Sequence, residues 1–346
     1  MKRSDLVPLL FLLLAAPALY FSEMSPSFVA DELLTRFIRD SLLVLALVIP
    51  VAAGMGLNFA VTIGAMAAQI GILAAIILRV NGMAGWSLAL VVGLVFSIFF
   101  GILLGHLLNR VKGREMIATI VIGLLANGIY QFFFLAGYGR FIPALNKEIL
   151  LSRGTGIRNM VDLDGYRNIL DGLLQMKIGD ITLPVLMVVL VICACAAVAY
   201  VMETPLGQRI RAVGLNRYRA ALLGIDVDRT RIIAMTLSTV IACLGQLIFL
   251  ENIGMLNVYT AHRNHEIFAA ASLLAGGATV RRASVRNVIL GVFAFHALFI
   301  VSPQAGQNLF GNAALGEYFR SFVAYGTIAA AILLGNQAYR HPISKP

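Results

Sequence analysis

The chain has 346 residues, of which 60% are hydrophobic and 13% charged, with a formal net charge of +10 and a mean hydropathy of +0.87. Soluble domains carry about 25% charged residues, so the composition excludes an ordinary soluble fold and points to one helical membrane domain over 1–346 that meets membrane lipid directly. The positive charge needs no nucleic-acid partner, because Lys and Arg in cytoplasmic loops account for it.

The first residues, MKRSDLVPLLFLLLAAPALYF, set a basic start before an apolar stretch, as a signal peptide does. Pro17 interrupts the small-residue pattern at Ala15-Ala16-Pro17-Ala18, so this segment is expected to stay as the first helix. Apolar runs then follow at 41–57, 60–80, 84–108, 117–137, 183–202, 231–251, 266–279, 287–303 and 319–336. Unbroken, 41–80 would make a helix about 60 Å long, twice the hydrocarbon thickness. Pro50, Gly54 and Gly56 mark the expected break, and Asn81-Gly82 the next turn. The 266–279 run is short for a crossing and ends near Gly276-Gly277, which predicts a half-helix. The reading is an all-α polytopic membrane protein of about ten transmembrane helices, some broken or half-length.

Ten crossings put both termini on one side, and charge selects the side. With the N-terminus inside, the cytoplasmic pieces are 1–5, 109–116, 203–231, 281–286 and 336–346. They hold sixteen of the 27 basic residues but only five of the 17 acidic ones. This asymmetry predicts cytoplasmic N- and C-termini, with 138–182 as an extracytoplasmic loop. Asp162, Asp164, Asp171 and Asp180 in that loop do not follow a calcium-loop spacing.

Chemistry of other kinds finds no motif. There is no GxxxxGK[ST] loop, HExxH or GxSxG, and no His-Cys cluster, so no catalytic residue and no metal site is expected. Cys193, Cys195 and Cys243 lie in apolar runs and are expected to be buried thiols. His106 and His296 are expected to be packed helix histidines. Few acids lie within the apolar runs, which argues against an ion-coupled carrier.

The most informative stretch is 203–231, ETPLGQRIRAVGLNRYRAALLGIDVDRTR. Pro205 suits a helix start, Asn216 can cap a second helix, and Gly224 can end it. Gly207 and Gly214 lie seven apart on nearly one face. Ala220 and Ala221 permit close approach, while Arg209, Arg211, Arg217 and Arg219 offer charge to an acidic partner.

This stretch resembles the coupling loop of permease subunits in bacterial ABC importers of the branched-chain amino acid, ribose and nucleoside type. ASLLAGGATVRRASVRNVILGVF, AAGMGLNFAVTIGAMAAQIGILAAI and MIATIVIGLLANGIYQF are similar to further segments of that family, so the likeness runs over roughly 41–335. Departures fall at Thr62-Ile63-Gly64, at Arg281-Arg282-Ala283 and in the long outer loop. The resemblance implies a type II importer fold, a second permease copy or paralogue, ABC ATPase subunits, and an extracytoplasmic substrate-binding protein. It implies no cofactor on this chain, with ATP and Mg on the partner ATPase subunit. It assigns coupling to Gly207, Arg209, Arg211, Gly214, Asn216, Arg217, Arg219, Ala220, Ala221 and Gly224.

Polar residues in apolar helices are candidates for the substrate path: Asn58, Gln69, Asn127, Gln131 and Gln246. Each could equally be a helix-to-helix hydrogen bond. A path with few charges suits a neutral sugar or nucleoside. Branched-chain amino acids and riboflavin are the other solutes in view, and a secondary carrier without ATP or a membrane scaffold the other classes. The orientation predicts that, in intact spheroplasts of a strain making a variant without native cysteines, a cysteine at Ser152 reacts with an impermeant thiol reagent and one at Ser344 does not.

Overall fold

The computed structural model describes residues 6–178 and 181–337. The chain is mostly helical, and local chemistry explains most boundaries. Helix α1 is Leu6–Ser22. Helix α2, Pro26–Leu45, starts with Pro26 in its first turn and with Ser25 accepting from Phe28 N at 3.3 Å. After Ala46-Leu47 comes one turn, α3 (Val48–Ala52). The chain then breaks at Gly54 and Gly56, whose φ of +71° and +74° few side chains would tolerate. This is the break expected near Pro50.

Helices α4 (Val61–Ile77), α5 (Gly82–Arg110) and α6 (Glu115–Phe132) follow, the last running into a π-helical turn at Phe133–Gly137. Beyond the outer loop lie α7 (Val185–Glu203), α8 (Pro205–Leu215), α9 (Arg217–Leu222) and α10 (Val227–Ile253). Helix α11, His265–Ala275, is the short element expected before Gly276-Gly277. Two long helices close the described chain, α12 (Val285–Phe310) and α13 (Ala313–Gln337).

Among the described residues, five segments are long and apolar enough to cross a membrane: 82–110, 115–137, 185–203, 227–253 and 285–310. Shorter apolar helices at 7–22, 61–77 and 265–275 accompany them. This is a polytopic membrane protein, though length and composition alone yield five spans rather than the ten expected. One reason is α2. In the sequence 23–40 lies outside the apolar runs, yet α2 begins at Pro26 and carries Arg36, Arg39 and Asp40 among the packed helices. Arg36 pairs with Glu32 at 2.8 Å and Arg39 with Asp40 at 3.4 Å, which makes their partial burial tolerable.

The centre is a three-helix contact of α4, α5 and α10. On α5, Gly85, Ala89, Gly93, Ser97, Gly101 and Gly105 recur every fourth residue and all are buried. A Cβ on Gly71 of α4 would stand 2.2 Å from Ala89 O, and one on Gly105 would stand 2.7 Å from Ile232 Cα. Lipid removes the hydrophobic drive between membrane helices, so such close backbone approach is what holds them. Cys195 and Cys243 are buried as expected, but Cys193 is exposed. His106 is exposed as well, because it follows the buried Gly105 and points off that seam.

One end of the molecule gathers 54–56, 109–116, 203–231 and Val280. Gly54 packs on Gly214, Gly56 on Met116 and Val280, and Lys112 pairs with Asp228. The other end gathers the 78–82 turn, the 138–178 cap and 254–257. There Tyr166 donates to Val80 O at 2.5 Å and Asn146 Nδ2 to Ile76 O at 3.1 Å. The cap departs from an all-α chain. Strand β1 (Met160–Asp162) pairs antiparallel with β4 (Met255–Asn257), and β2 (Gln175–Ile178) with β3 (Ile181–Pro184). Strand pairing satisfies backbone groups in a segment too irregular in sequence to form a helix. Of the four loop aspartates, Asp180 lies outside the described residues.

Glu251 at the end of α10 clamps the cap. Its Oε1 accepts from Leu170 N at 2.7 Å and Asp171 N at 3.2 Å. Asp171 is 7% exposed and accepts from Asn252 Nδ2 at 3.3 Å, while its Oδ1 has no partner among the described residues. Burial raises the Asp171 pKa above its ordinary 3.8, with the Asn252 hydrogen bond pulling the other way. A carboxyl whose folded pKa is raised favours folding most below its unfolded pKa, and this contribution falls as pH rises through the folded one. Relative to the base-catalysed intrinsic rate, the cap amides should therefore be better protected near pH 4 than at pH 8. In Asp171→Asn that pH dependence should shrink, as hydrogen exchange of 163–174 would reveal.

Candidate functional site

Two regions bring together the polar residues singled out in the sequence. The first is 203–231 at the 54–56 end. Thr204 caps α8, and Asn216 Oδ1 caps α9 by accepting from Arg219 N at 3.0 Å. Gly207 and Ala220 are buried against their own chain, so neither is open to a partner. Gly214 also faces inward, since a Cβ there would sit 2.0 Å from Ala52 O. Arg209, Arg217, Arg219, Ala221 and Gly224 are exposed, and Arg211, also exposed, reaches Glu203 at 3.3 Å. Interleaved with them stand Leu215, Tyr218, Leu222 and Leu223, which are 70% exposed or more. This apolar patch rimmed by arginines is the chemistry of a protein-binding surface. Its readable signal in the sequence was four large apolar residues, Leu215, Tyr218, Leu222 and Leu223, interleaved with arginines in a basic loop.

Behind this surface lies a buried ion pair. Arg231 Nη2 meets Glu115 Oε1 at 2.8 Å, with the side chains 3% and 9% exposed. Arg231 also donates from Nε to Asn109 Oδ1 at 2.8 Å and from Nη2 to Leu108 O at 3.2 Å. The first turn of α10 is thereby tied to α5 and α6.

The second region is a polar network around His262, in the segment between α10 and α11. His262 Nδ1 lies 3.0 Å from Gln69 Oε1 and Nε2 lies 2.7 Å from Asn127 Oδ1. Gln131 Nε2 donates to Asn127 Oδ1 at 3.2 Å and to Tyr259 O at 3.1 Å, and Gln246 Nε2 to Ala261 O at 3.2 Å. A neutral imidazole donates at one nitrogen and accepts at the other. The Gln69 Nε2 has no partner among the described residues, and a half-turn of that amide would supply Nδ1 with its donor.

A cavity of about 530 Å³ opens beside His262, between α6, α11 and α13. Thr62, Asn127, His262, Arg263, Asn264, Glu266 and Tyr325 supply its polar groups. Of the five path candidates only Asn127 reaches this cavity. Gln69, Gln131 and Gln246 hold the 259–262 segment in place from behind. Asn58 lies apart, donating to Ser238 Oγ at 3.2 Å and accepting from Ala60 N at 3.0 Å, where it pins the break before α4. Of the polar cavity residues that were not path candidates in the sequence, His262, Arg263, Asn264 and Glu266 belong to one polar run, 262–266, set against a half-helix, while Thr62 and Tyr325 lie apart. Five consecutive polar residues beside a short apolar run were the readable signal.

A family model described as "Branched-chain amino acid transport system / permease component" matches residues 29–332. The chain belongs to this permease family. The ribose import permease protein RbsC of Escherichia coli strain K12 is 25% identical over 346 residues, covering 97% of this chain and 94% of its own. The fructose import permease protein FruG of Bifidobacterium longum is 24% identical, over 69% of this chain and 64% of its own. The nucleoside ABC transporter permease protein NupB of Lactococcus lactis is 29% identical, over 47% of this chain and 42% of its own. No solved structure is significantly similar to the chain. It is therefore a membrane-embedded permease component, with ATP hydrolysis belonging to a separate subunit.

In the permease the Glu115–Arg231 pair is open to a direct test. Removing one partner of a buried ion pair typically costs about 3–5 kcal/mol, whereas replacing both by apolar groups is often neutral. Glu115→Leu and Arg231→Met should therefore each lower the unfolding temperature in detergent sharply. The double variant Glu115→Leu with Arg231→Met should recover most of the loss, which a double-mutant cycle measures.

Proposed function

We propose that this permease moves a small neutral polar solute, a sugar such as ribose or galactose or else a nucleoside, into the cytoplasm by ATP-driven alternating access. The observation that carries the solute class is the wall of the 530 Å³ cavity. It offers two amides, an imidazole, an aliphatic hydroxyl, a phenol, one guanidinium and one carboxylate, a mixture of donors and acceptors suited to several hydroxyls rather than to one strong charge. The amino end of α11 borders the same space, and the Asn264 side chain does not cap it. The names of the ribose, fructose and nucleoside relatives point the same way.

In this reading α8 and α9 dock on a cytoplasmic ATPase subunit, and ATP with Mg acts there. Leu215, Tyr218, Leu222 and Leu223 supply contact area, and Arg209, Arg217 and Arg219 register it against acidic groups. Closure of the ATPase pair moves α8–α9, Gly214 passes the motion to Gly54, and Arg231 passes it to α5 and α6. Such coupled rigid-body shifts are the usual means of alternating access. A second permease copy or paralogue completes the path, and an extracytoplasmic binding protein delivers solute at the cap. The termini are cytoplasmic and the helices cross about ten times, as the distribution of Lys and Arg favours.

The test is uptake of labelled ribose, a nucleoside and leucine by vesicles holding the reassembled importer. Asn127→Leu and His262→Leu should each cut uptake of the true solute by about tenfold or more, the scale of one lost hydrogen bond to a buried polar group. Leu222→Asp and Tyr218→Asp should abolish uptake and co-purification of the ATPase subunit while membrane insertion stays normal. Retained co-purification in both would remove α8–α9 from the docking role, and uptake of leucine alone would refute the neutral solute.

A further inference from the structure

We infer that the turn leading into α12 binds an anionic phospholipid, with its phosphate at Arg282 and Arg286 and an acyl chain along the outer face of α12. The segment 279–286 lies at the 203–231 end of the molecule, where Val280 O borders Gly56. It includes Arg281-Arg282-Ala283, where the sequence departs from the permease family. Its charge sets it apart from its neighbours. The other basic segments at this end bring their own acids: Lys112 pairs with Asp228, Arg211 with Glu203 and Arg231 with Glu115. Arg281, Arg282 and Arg286 fall within six residues, and the sequence holds no Asp or Glu from 267 to 316. Arg282 and Arg286 are exposed and enter no ion pair among the described residues. Helix α12 is one of the five spans, so its first turn stands at the level of the lipid head groups. Arginines placed there attract anionic lipid, and the planar guanidinium fork fits a phosphate at two points.

A second observation is independent of charge. Ile289, Leu290 and Phe293 follow Arg286 by three, four and seven residues, which puts all four on one side of the helix. The three apolar side chains are exposed, between 37% and 41%. An apolar strip inside a span continues the lipid-facing surface, and here it is headed by a cation. One phospholipid has the matching order, a charged head above a hydrocarbon tail. The third observation is that the turn is fixed. Thr279 N donates to Arg282 O at 2.9 Å, and Thr279 Oγ1 accepts from Arg282 N at 3.1 Å. Ser284 and Asn287 cap α12 reciprocally, and Asn287 Nδ2 donates to Gly276 O at 2.8 Å. A turn held in this way presents its arginines with little backbone entropy left to lose on binding.

The experiment takes the full chain, purified in detergent, and titrates it with phosphatidylglycerol or with phosphatidylcholine of the same acyl chains. Native mass spectrometry follows the first lipid bound. Phosphatidylglycerol should bind at least about tenfold more tightly than phosphatidylcholine. Arg282→Gln and Arg286→Gln should each weaken phosphatidylglycerol by about fivefold, the scale of one arginine at a membrane surface, and leave phosphatidylcholine unchanged. Both side chains are exposed, so neither variant threatens the fold. Arg114, an exposed arginine at the same end but away from α12, is the control, and Arg114→Gln should change neither affinity. Equal binding of the two lipids, or phosphatidylglycerol affinity unchanged in both α12 variants, would overturn the inference. So would an equal loss in Arg114→Gln, since that marks a diffuse positive field rather than a site. An acidic face of the ATPase subunit is the rival occupant. The double variant Arg282→Gln with Arg286→Gln should still co-purify with that subunit, and loss of the subunit with lipid affinity unchanged would assign the arginines to it instead. Membrane embedding alone underlies the site, so none of these results bears on whether ribose or a nucleoside is carried past Asn127.

Discussion

Close backbone contact between α4, α5 and α10 is the constraint on which the rest of this molecule depends. It exists because Gly and other small residues recur every fourth position on α5 and meet Gly71 on α4 and Ile232 on α10. Helices this close cannot slide or tilt independently, since any added side chain would strike backbone. The contact fixes where the ends of the three helices emerge. At one end it sets Asn109, Glu115 and Arg231 within hydrogen-bond reach. At the other it gives the cap a firm platform in Val80, Ile76 and Glu251. In lipid, where burying apolar surface gains nothing between helices, geometry of this kind stands in for a hydrophobic core.

Polar groups inside such a frame must each be answered, and the structure answers them in two styles. The Gln69, Asn127, Gln131 and Gln246 amides spend their hydrogen bonds on the 259–262 segment, an irregular stretch that lipid would not tolerate without them. That stretch is thereby held beside the half-helix α11 and presents His262 to the cavity. The charges of α2 are answered differently, by neighbours one and four residues away and by the faces of aromatic rings. The two cavities flanking 260–266 share Arg263.

The surface of α8 and α9 has the opposite character. Its inner side is spent on Gly207, Gly214 and Ala220, which lock the two short helices to the body of the chain. Its outer side leaves leucines, a tyrosine and arginines in the open. A small rigid element with a fixed inner face and an adhesive outer face transmits force well, because it cannot absorb a push by deforming. Gly214 against Gly54 matters here for stiffness rather than for partner contact.

Much of this was legible in the residues themselves. Composition determined a membrane protein, Gly54 and Gly56 the break, Gly276-Gly277 the end of the half-helix, and Pro205 with Asn216 the two helices of the loop. Each depends on local chemistry: backbone freedom at glycine, fixed φ at proline, capping by a short polar side chain. The direction each side chain faces was decided only by tertiary structure. Arg36, Arg39 and Asp40 lay outside every apolar run until α12 and α10 closed around them, and Gln69 and Gln131, open in the sequence to either a path role or a helix-to-helix bond, give their hydrogen bonds to His262 and Tyr259. Gly214 and Ala220 looked open to a partner until α3 and the rest of the chain covered them. His262 is 193 residues from Gln69 and 135 from Asn127, and a network across such distances has no local signature. It forms because packed helices bring its members together, and that packing is a property of the whole chain.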